Sequence, residues 1–363
     1  MHHWIKLAIR LAAISCLVAP LASAQTQSQT SPLSRIAFGS CIRQDRSQPI
    51  WQAISDYEPQ LFVLTGDNIY GDSDDVEILK LKYDQLGSNP GFKKLKSLCP
   101  ILATWDDHDY GINDGGAEFP IKRESQKIFN DFFETPQDSP RRHREGIYDS
   151  AIFGPEGKRL QIILLDTRYF RSALTKANPR MKGRGPYGPT DSPGSTILGD
   201  AQWSWLEKQF RQPAEIRVVV SSIQFVPDQH GWEMWGNFPR ERQRMLELIS
   251  KTKANGILFV SGDRHLAEIS KMPPDPDRTP YPIIDFTSSS LNQPSGGGNE
   301  NEPNRYRLGQ HYLKVNFGTL DIEWGESTTL MLAIRDLNGK VVRKHRLALA
   351  DLQHCPSHGM GSQ

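Results

Sequence analysis

Four short apolar runs, each broken off at a residue able to bind a ligand, constrain this chain more than any other feature. The clearest is Leu-Phe-Val-Leu at 61–64, followed by Thr65-Gly66-Asp67 and, three residues on, Tyr70. A run this short between polar flanks reads as a strand buried on both faces. Its terminal carboxylate stands where open α/β sheets place their ligands, and Gly66 and Gly71 permit tight turns around it. Taken alone this is also an ordinary strand-end turn, where Asp, Asn and Gly are common. The other runs end alike: 35–38 at Gly39-Ser40-Cys41, 101–104 at Trp105-Asp106-Asp107-His108-Asp109, and 257–260 at Ser261-Gly262-Asp263-Arg264-His265.

Helical spacing at 48–57, 76–86 and 92–98 separates the first three runs, and the strand–helix alternation argues for a layered α/β fold. An amphipathic helix at 125–133 precedes a strand pair at 148–153 and 160–165. Helices at 200–210 and 239–251 flank a strand at 217–221, and an aromatic loop lies at 230–238. Segment 175–195, rich in Pro and Gly without periodicity, is a long loop of the functional or mobile kind, and 271–282 is a Pro-rich connection. Strands follow at 283–290, 312–315, 319–324 and 329–335, and Asn338-Gly339 is a hairpin signal before 341–347. One domain is expected over 35–350, with a tail at 351–363.

Residues 1–24 read as a removable leader. Lys6 and Arg10 open it, 11–21 is apolar but too short to span a bilayer, and Ala22-Ser23-Ala24 is a small-x-small cleavage site. An exported protein, periplasmic or secreted and without a stable membrane anchor, is expected. A polar linker at 25–34 follows. Cleavage takes the formal net charge from +1 to −1 by removing Lys6 and Arg10, and no basic block suggests a nucleic-acid footprint. Export leaves Cys41, Cys99 and Cys355, an odd number. Metal ligation gives Cys41 a reason to stay unpaired, and Cys99–Cys355 is then a possible disulfide.

Side chains at the ends of neighbouring strands converge. Here that gathers a thiol, a phenol, several carboxylates and two imidazoles, which repel one another when charged unless cations neutralise them. Thiolate and phenolate favour a transition metal such as iron, and clustered oxygens favour a hard ion such as calcium. Two metals sharing a carboxylate suit displacement at phosphorus. Each residue also has an ordinary reading: Cys41 as a buried hydrophobe, Asp107 as a helix cap, His265 as a hydrogen-bonded core histidine.

The ordered set IAFGSC (36–41), LTGDNIYGD (64–72), TWDDHD (104–109), LLDTRYFR (164–171), LGDAQWSWLE (198–207), SSIQF (221–225) and VSGDRH (260–265) resembles the PhoD-like branch of the calcineurin-type metallophosphoesterases. The resemblance spans roughly 36–290. It implies a four-layer αββα sandwich of two mixed β-sheets flanked by helices. It also implies hydrolysis of phosphate mono- or diesters by metal-bound hydroxide at a dinuclear centre of iron plus calcium, with other divalent metals as alternatives. Position by position, it makes Asp67 the bridging ligand and places Cys41 and Tyr70 on the iron side. Asp107 falls where relatives have a metal-binding Asn. His108 becomes the substrate-facing histidine, and Asp263 and His265 complete the shell. Asn113, Arg168, Arg171 and Arg264 are candidate substrate contacts, the first two arginines having ion-pair bracing as their alternative. Asp109-Tyr110 departs from the Glu-Val usual after the histidine, the N-terminal domain of many relatives is absent, and the C-terminal end reads as hairpins.

A phosphate-ester small molecule, a nucleotide or lipid headgroup among them, is the expected partner. Two other classes stay open: a hydrolase using Cys41 as nucleophile, which leaves Tyr70 and the surplus carboxylates unexplained, and a non-catalytic secreted binding protein on the same fold.

Overall fold

The computed structural model describes residues 31–354, apart from 191, 276–277 and 298–299. The leader, its cleavage site, most of the linker and the Cys355 half of the expected disulfide lie outside the described residues.

The strands are β1 (Arg35–Gly39), β2 (Leu61–Thr65), β3 (Ile101–Thr104), β4 (Asp149–Phe153), β5 (Leu160–Leu164), β6 (Thr175–Lys176), β7 (Tyr187–Gly188), β8 (Ile216–Val220), β9 (Ile257–Ser261), β10 (Ala267–Met272), β11 (Ile283–Ser288), β12 (Asn316–Glu323), β13 (Thr329–Asp336) and β14 (Val341–Ala348). They form two six-stranded sheets, ordered β14-β13-β12-β1-β2-β3 and β10-β11-β9-β8-β5-β4, and β6-β7 is a small hairpin. Within the first sheet β1, β2 and β3 run parallel. Within the second β5, β8, β9 and β11 do.

The period of two along β2 accounts for the layering. Leu61 and Val63 join the core shared with the second sheet, where Phe38 meets Phe286 edge-on at 4.7 Å. Phe62 and Leu64 turn the other way, towards residues of the helices Ile50–Tyr57, Val76–Ser88, Pro90–Leu98 and Lys122–Phe132. The helices Gly199–Phe210 and Pro239–Thr252 supply Trp203, Leu206, Met245 and Ile249 to the core around the second sheet. The result is the expected four-layer αββα sandwich.

Three details differ from expectation. Segment 312–315 is not a strand: Tyr312 makes one two-way pairing with Ala267 (2.8 and 2.7 Å) before the chain crosses to the first sheet. Strand β10 was hidden in the sequence because it buries Glu268, which pairs with Arg307, and Ser270, which accepts from Asn304 at 2.8 Å, so its apolar pattern is broken. The packed chain also extends beyond 35–350. Leu33 and Leu352 are buried, and Gly256 N donates to Leu352 O at 2.7 Å.

Candidate metal centre

The C-terminal ends of the parallel strands of both sheets meet along one edge. Gly262 makes the meeting possible: a Cβ there would lie 2.5 Å from Ser40 Oγ and 3.0 Å from Thr65 O. Gly66 adopts φ +110° and would likewise press a Cβ against Asp106 at 2.6 Å. Cys41, Asp67, Asp263 and His265 follow these strands, and each has φ between 50° and 64°. Left-handed backbone is uncommon outside glycine and costs of order 1–3 kcal/mol per residue. Its concentration at these four positions marks an over-determined site.

Asp67 lies at the centre. Cys41 Sγ is 3.3 Å from its Oδ2, and Tyr70 Oη is also 3.3 Å away. Tyr70 Oη is 2.9 Å from His265 Nε2. Ser289, just beyond β11, is 3.1 Å from Cys41 Sγ and accepts from His265 N at 2.9 Å. Donor atoms of Cys41, Asp67 and His265 lie within 4.8 Å of one another, as do those of Asp67, Asp107 and His108, so two possible ligand groups share Asp67. A third group joins Asp107, Asp114 and Glu233. Asp67 is 1% exposed, yet its Oδ1 has no hydrogen-bond partner among the described residues. A buried acceptor left so is costly without a cation or donor to satisfy it.

The electrostatics agree. Burial, then the neighbouring Cys41, hold the Asp67 carboxyl well above the usual range. Burial pushes Cys41 up to about 12 and Asp263 to about 8, the latter against the pull of Arg264. His265 falls to about 4 through burial and the Arg264 charge. His108 goes the other way: burial opposes its charge, but Asp107, Asp67 and Asp72 together raise it to about 11. Asp107 drops to about 2 because His108 and Arg168 outweigh burial. Protein charges alone therefore leave several of these groups holding protons that a cation would displace.

Asp109 replaces the expected glutamate and explains its own burial. Its carboxylate accepts from Asp67 N (3.1 Å), Asp106 N (2.7 Å) and Asn68 Nδ2 (2.5 Å), tying the turns after β2 and β3 together. The single helical turn Asp107–Tyr110 thus sends Asp107 towards Asp67 and Asp109 back into the scaffold.

The substrate candidates fare unequally. Asn113 is exposed, and its neighbour Asp114 is the residue brought to the cluster: Asp114 N donates to Asp107 Oδ2 at 2.7 Å. Arg168 is fully buried between Asp106 and Glu233, so the bracing alternative describes it and a phosphate contact does not. Arg171 also pairs with Glu233, at 2.8 Å. Arg264 pairs with Glu302 and lies 3.8 Å from Asp263. Asp72, within the quoted LTGDNIYGD stretch but given no role there, holds His108 Nδ1 at 2.5 Å. Asp114, Glu233 and Ser289 carry no sequence signal, since each is defined by what it touches across the fold.

The PhoD-like phosphatase family model matches residues 36–326. Alkaline phosphatase D of Bacillus subtilis (strain 168) is 23% identical over 271 residues, 68% of this chain and 45% of that protein, so the chain spans less than half the length of this curated relative. A solved structure of PhoD superposes with a TM-score of 0.68 at 17% identity, covering 87% of this chain and 72% of the other. The purple acid phosphatase PPD1 of yellow lupin seeds gives 0.58 at 13% identity, covering 92% and 58%. These two structural likenesses are likenesses of fold. With most of its length matched by the family model, the chain belongs to the PhoD-like phosphatase family.

Proposed function

We propose that this chain is an exported phosphoesterase that hydrolyses phosphate mono- or diesters with a metal pair held around Asp67. The observation that carries the reading is the place of Asp67 between Cys41 and His265 on one side and Asp107 on the other, with one buried carboxylate oxygen left without a partner among the described residues. Cys41, Tyr70, Asp67 and His265 would hold a thiophilic ion such as iron. Asp67, Asp107 and Asp263 would hold a harder one such as calcium. Bound there, the pair would supply Lewis acidity and an activated water.

The chain's own residues have separate tasks. Asp72 fixes His108 through Nδ1, leaving Nε2 to face the ester oxygen. Paired with Asp72, which is not among the proposed metal ligands, the cationic form of His108 can give the leaving oxygen a proton. Asp106, Arg168, Glu233 and Arg171 form a buried ion chain that braces the loops behind Asp107. Asn113, on an exposed turn, has room to reach substrate, and Arg264 can contact an incoming anion. The leader read at 1–24 supports export. A nucleophilic role for Cys41 is disfavoured by its complete burial and its raised pKa, which keep it a thiol in the absence of metal.

The deciding experiment is elemental analysis of the purified protein alongside turnover of a chromogenic phosphomonoester and diester, for the parent and Cys41→Ala. Iron plus calcium in the parent, with iron and turnover both lost in the variant, is the expected result. Turnover by a metal-free parent, blocked by alkylation and indifferent to chelators, would overturn it.

A further inference from the structure

The loop after β8 buries Phe225 and Trp235 completely but leaves Trp232 37% exposed. Arg264 covers one side of that indole, its Cζ 5.4 Å from the ring centroid, and the same guanidinium reaches towards Asp263. One guanidinium thus separates Trp232 from the ligand set. A cavity of about 390 Å³ also borders the indole, lined by Arg180, Met181, Lys182, Gly183 and Arg184. Backbone bonds hold the two loops together: Gly185 N donates to His230 O at 2.7 Å and Tyr187 N to Gly231 O at 2.8 Å. Gly185 permits this approach, since a Cβ there would lie 2.3 Å from Gly231 O. Further along the same loop, Tyr187 Oη donates to Asp114. Among the described residues, none of Arg180, Lys182 and Arg184 forms an ion pair. Three uncompensated cations within five residues are a local concentration in a chain of net charge +1.

An exposed indole beside unpaired cations suits a flat ring carrying extra negative charge. It is unsuited to a quaternary ammonium headgroup, which the indole would attract but the cations repel. We propose that Trp232, Arg180, Lys182 and Arg184 form a subsite for a nucleotide-type ester, with the base stacked on the indole and a further phosphate held by the cations. This rests on the phosphoesterase reading and names its substrate class.

The test uses the metal-loaded protein and two anions that resist hydrolysis: adenosine 5′-(α,β-methylene)diphosphate, and methylenediphosphonate, which lacks the nucleoside. Calorimetric titration of the parent should show the nucleoside compound binding about tenfold or more tightly, the scale of one base–aromatic stack. Trp232→Ala should lose that preference and Trp232→Phe keep it. Lys182→Glu combined with Arg184→Glu should weaken both compounds. A parent without the preference, or a folded Trp232→Ala that retains it, overturns the subsite. Turnover separates the two readings. A parent that binds as expected but hydrolyses none of ADP, glycerol phosphate and the chromogenic monoester and diester keeps the subsite and loses the phosphoesterase. A parent that hydrolyses ADP and glycerol phosphate, in a ratio that Trp232→Ala does not change, loses the subsite and keeps the phosphoesterase.

Discussion

Three carboxylates act on one imidazole at His108. Asp72 holds Nδ1 at 2.5 Å, Asp107 and Asp67 add their fields, and Tyr70 packs its ring 4.2 Å away, centroid to centroid. In the proposed reaction this histidine, paired with Asp72, gives the leaving oxygen a proton, and such general acids typically contribute about 10²–10⁴-fold. His108→Asn is therefore expected to lower kcat by about two to four orders of magnitude while elemental analysis finds the parent's metal content. A parallel loss of metal would make His108 a ligand. The place of His108 among acids at the end of an apolar run was legible in TWDDHD, whereas the proton-donor role proposed for it came from the family resemblance. The division of labour among those acids was not visible. Asp107 and Asp109 differ by two positions, yet a single helical turn aims one at the cluster and the other at the backbone of Asp67 and Asp106. Arg168 kept two readings in the sequence, phosphate contact and ion-pair brace, because Glu233, its partner 65 positions on, is brought to it by the fold alone.

At the scale of elements, the strands that carry the site were legible because they are short, apolar and cut off by Gly or Asp. β10 was not, since its polar residues find partners only in the folded chain. Asp285 on β11 shows how such a buried polar group ties elements together. Its Oδ2 accepts from Phe225 N (2.7 Å) and Val226 N (3.0 Å), and its Oδ1 from Ser261 Oγ (2.8 Å), anchoring the loop after β8 that leads to Trp232. Burial outweighs these bonds and lifts its pKa to about 6. The folded state thus holds this proton more tightly than the unfolded chain does. The resulting stability is complete below about pH 4 and lost as the pH rises through about 6, a change of about 3 kcal/mol. Asp285→Asn keeps an acceptor for the two amides and does not ionise. Urea unfolding should show the variant gaining on the parent by about 3 kcal/mol between pH 4 and pH 7.5. A constant difference would mean that Asp285 carries its charge at no cost.

Across the whole molecule, the two sheets come from largely separate stretches of chain, and the candidate centre is one of the places where they join. Cys41, Asp67, Tyr70, Asp107 and His108 follow strands of the first sheet; Asp263 and His265 follow β9 of the second. Any cation held between Cys41 and His265 would cross-link residues 224 positions apart in sequence. Binding confined to the folded state adds RT ln(1 + [L]/Kd), about 2.7 kcal/mol at a hundredfold excess over Kd. In a domain of this size each kcal/mol moves Tm by about 2–4 °C, so restoring metal to chelator-treated protein should raise Tm by roughly 5–10 °C. The rise should shrink in Cys41→Ala, which removes a donor from the first sheet, and equally in His265→Ala, which removes one from the second. A centre built on one sheet alone predicts otherwise: one of the two variants would keep the full rise. Metal-independent melting of the parent would show that no cation joins the sheets, and the unpartnered oxygen of Asp67 would then need another donor.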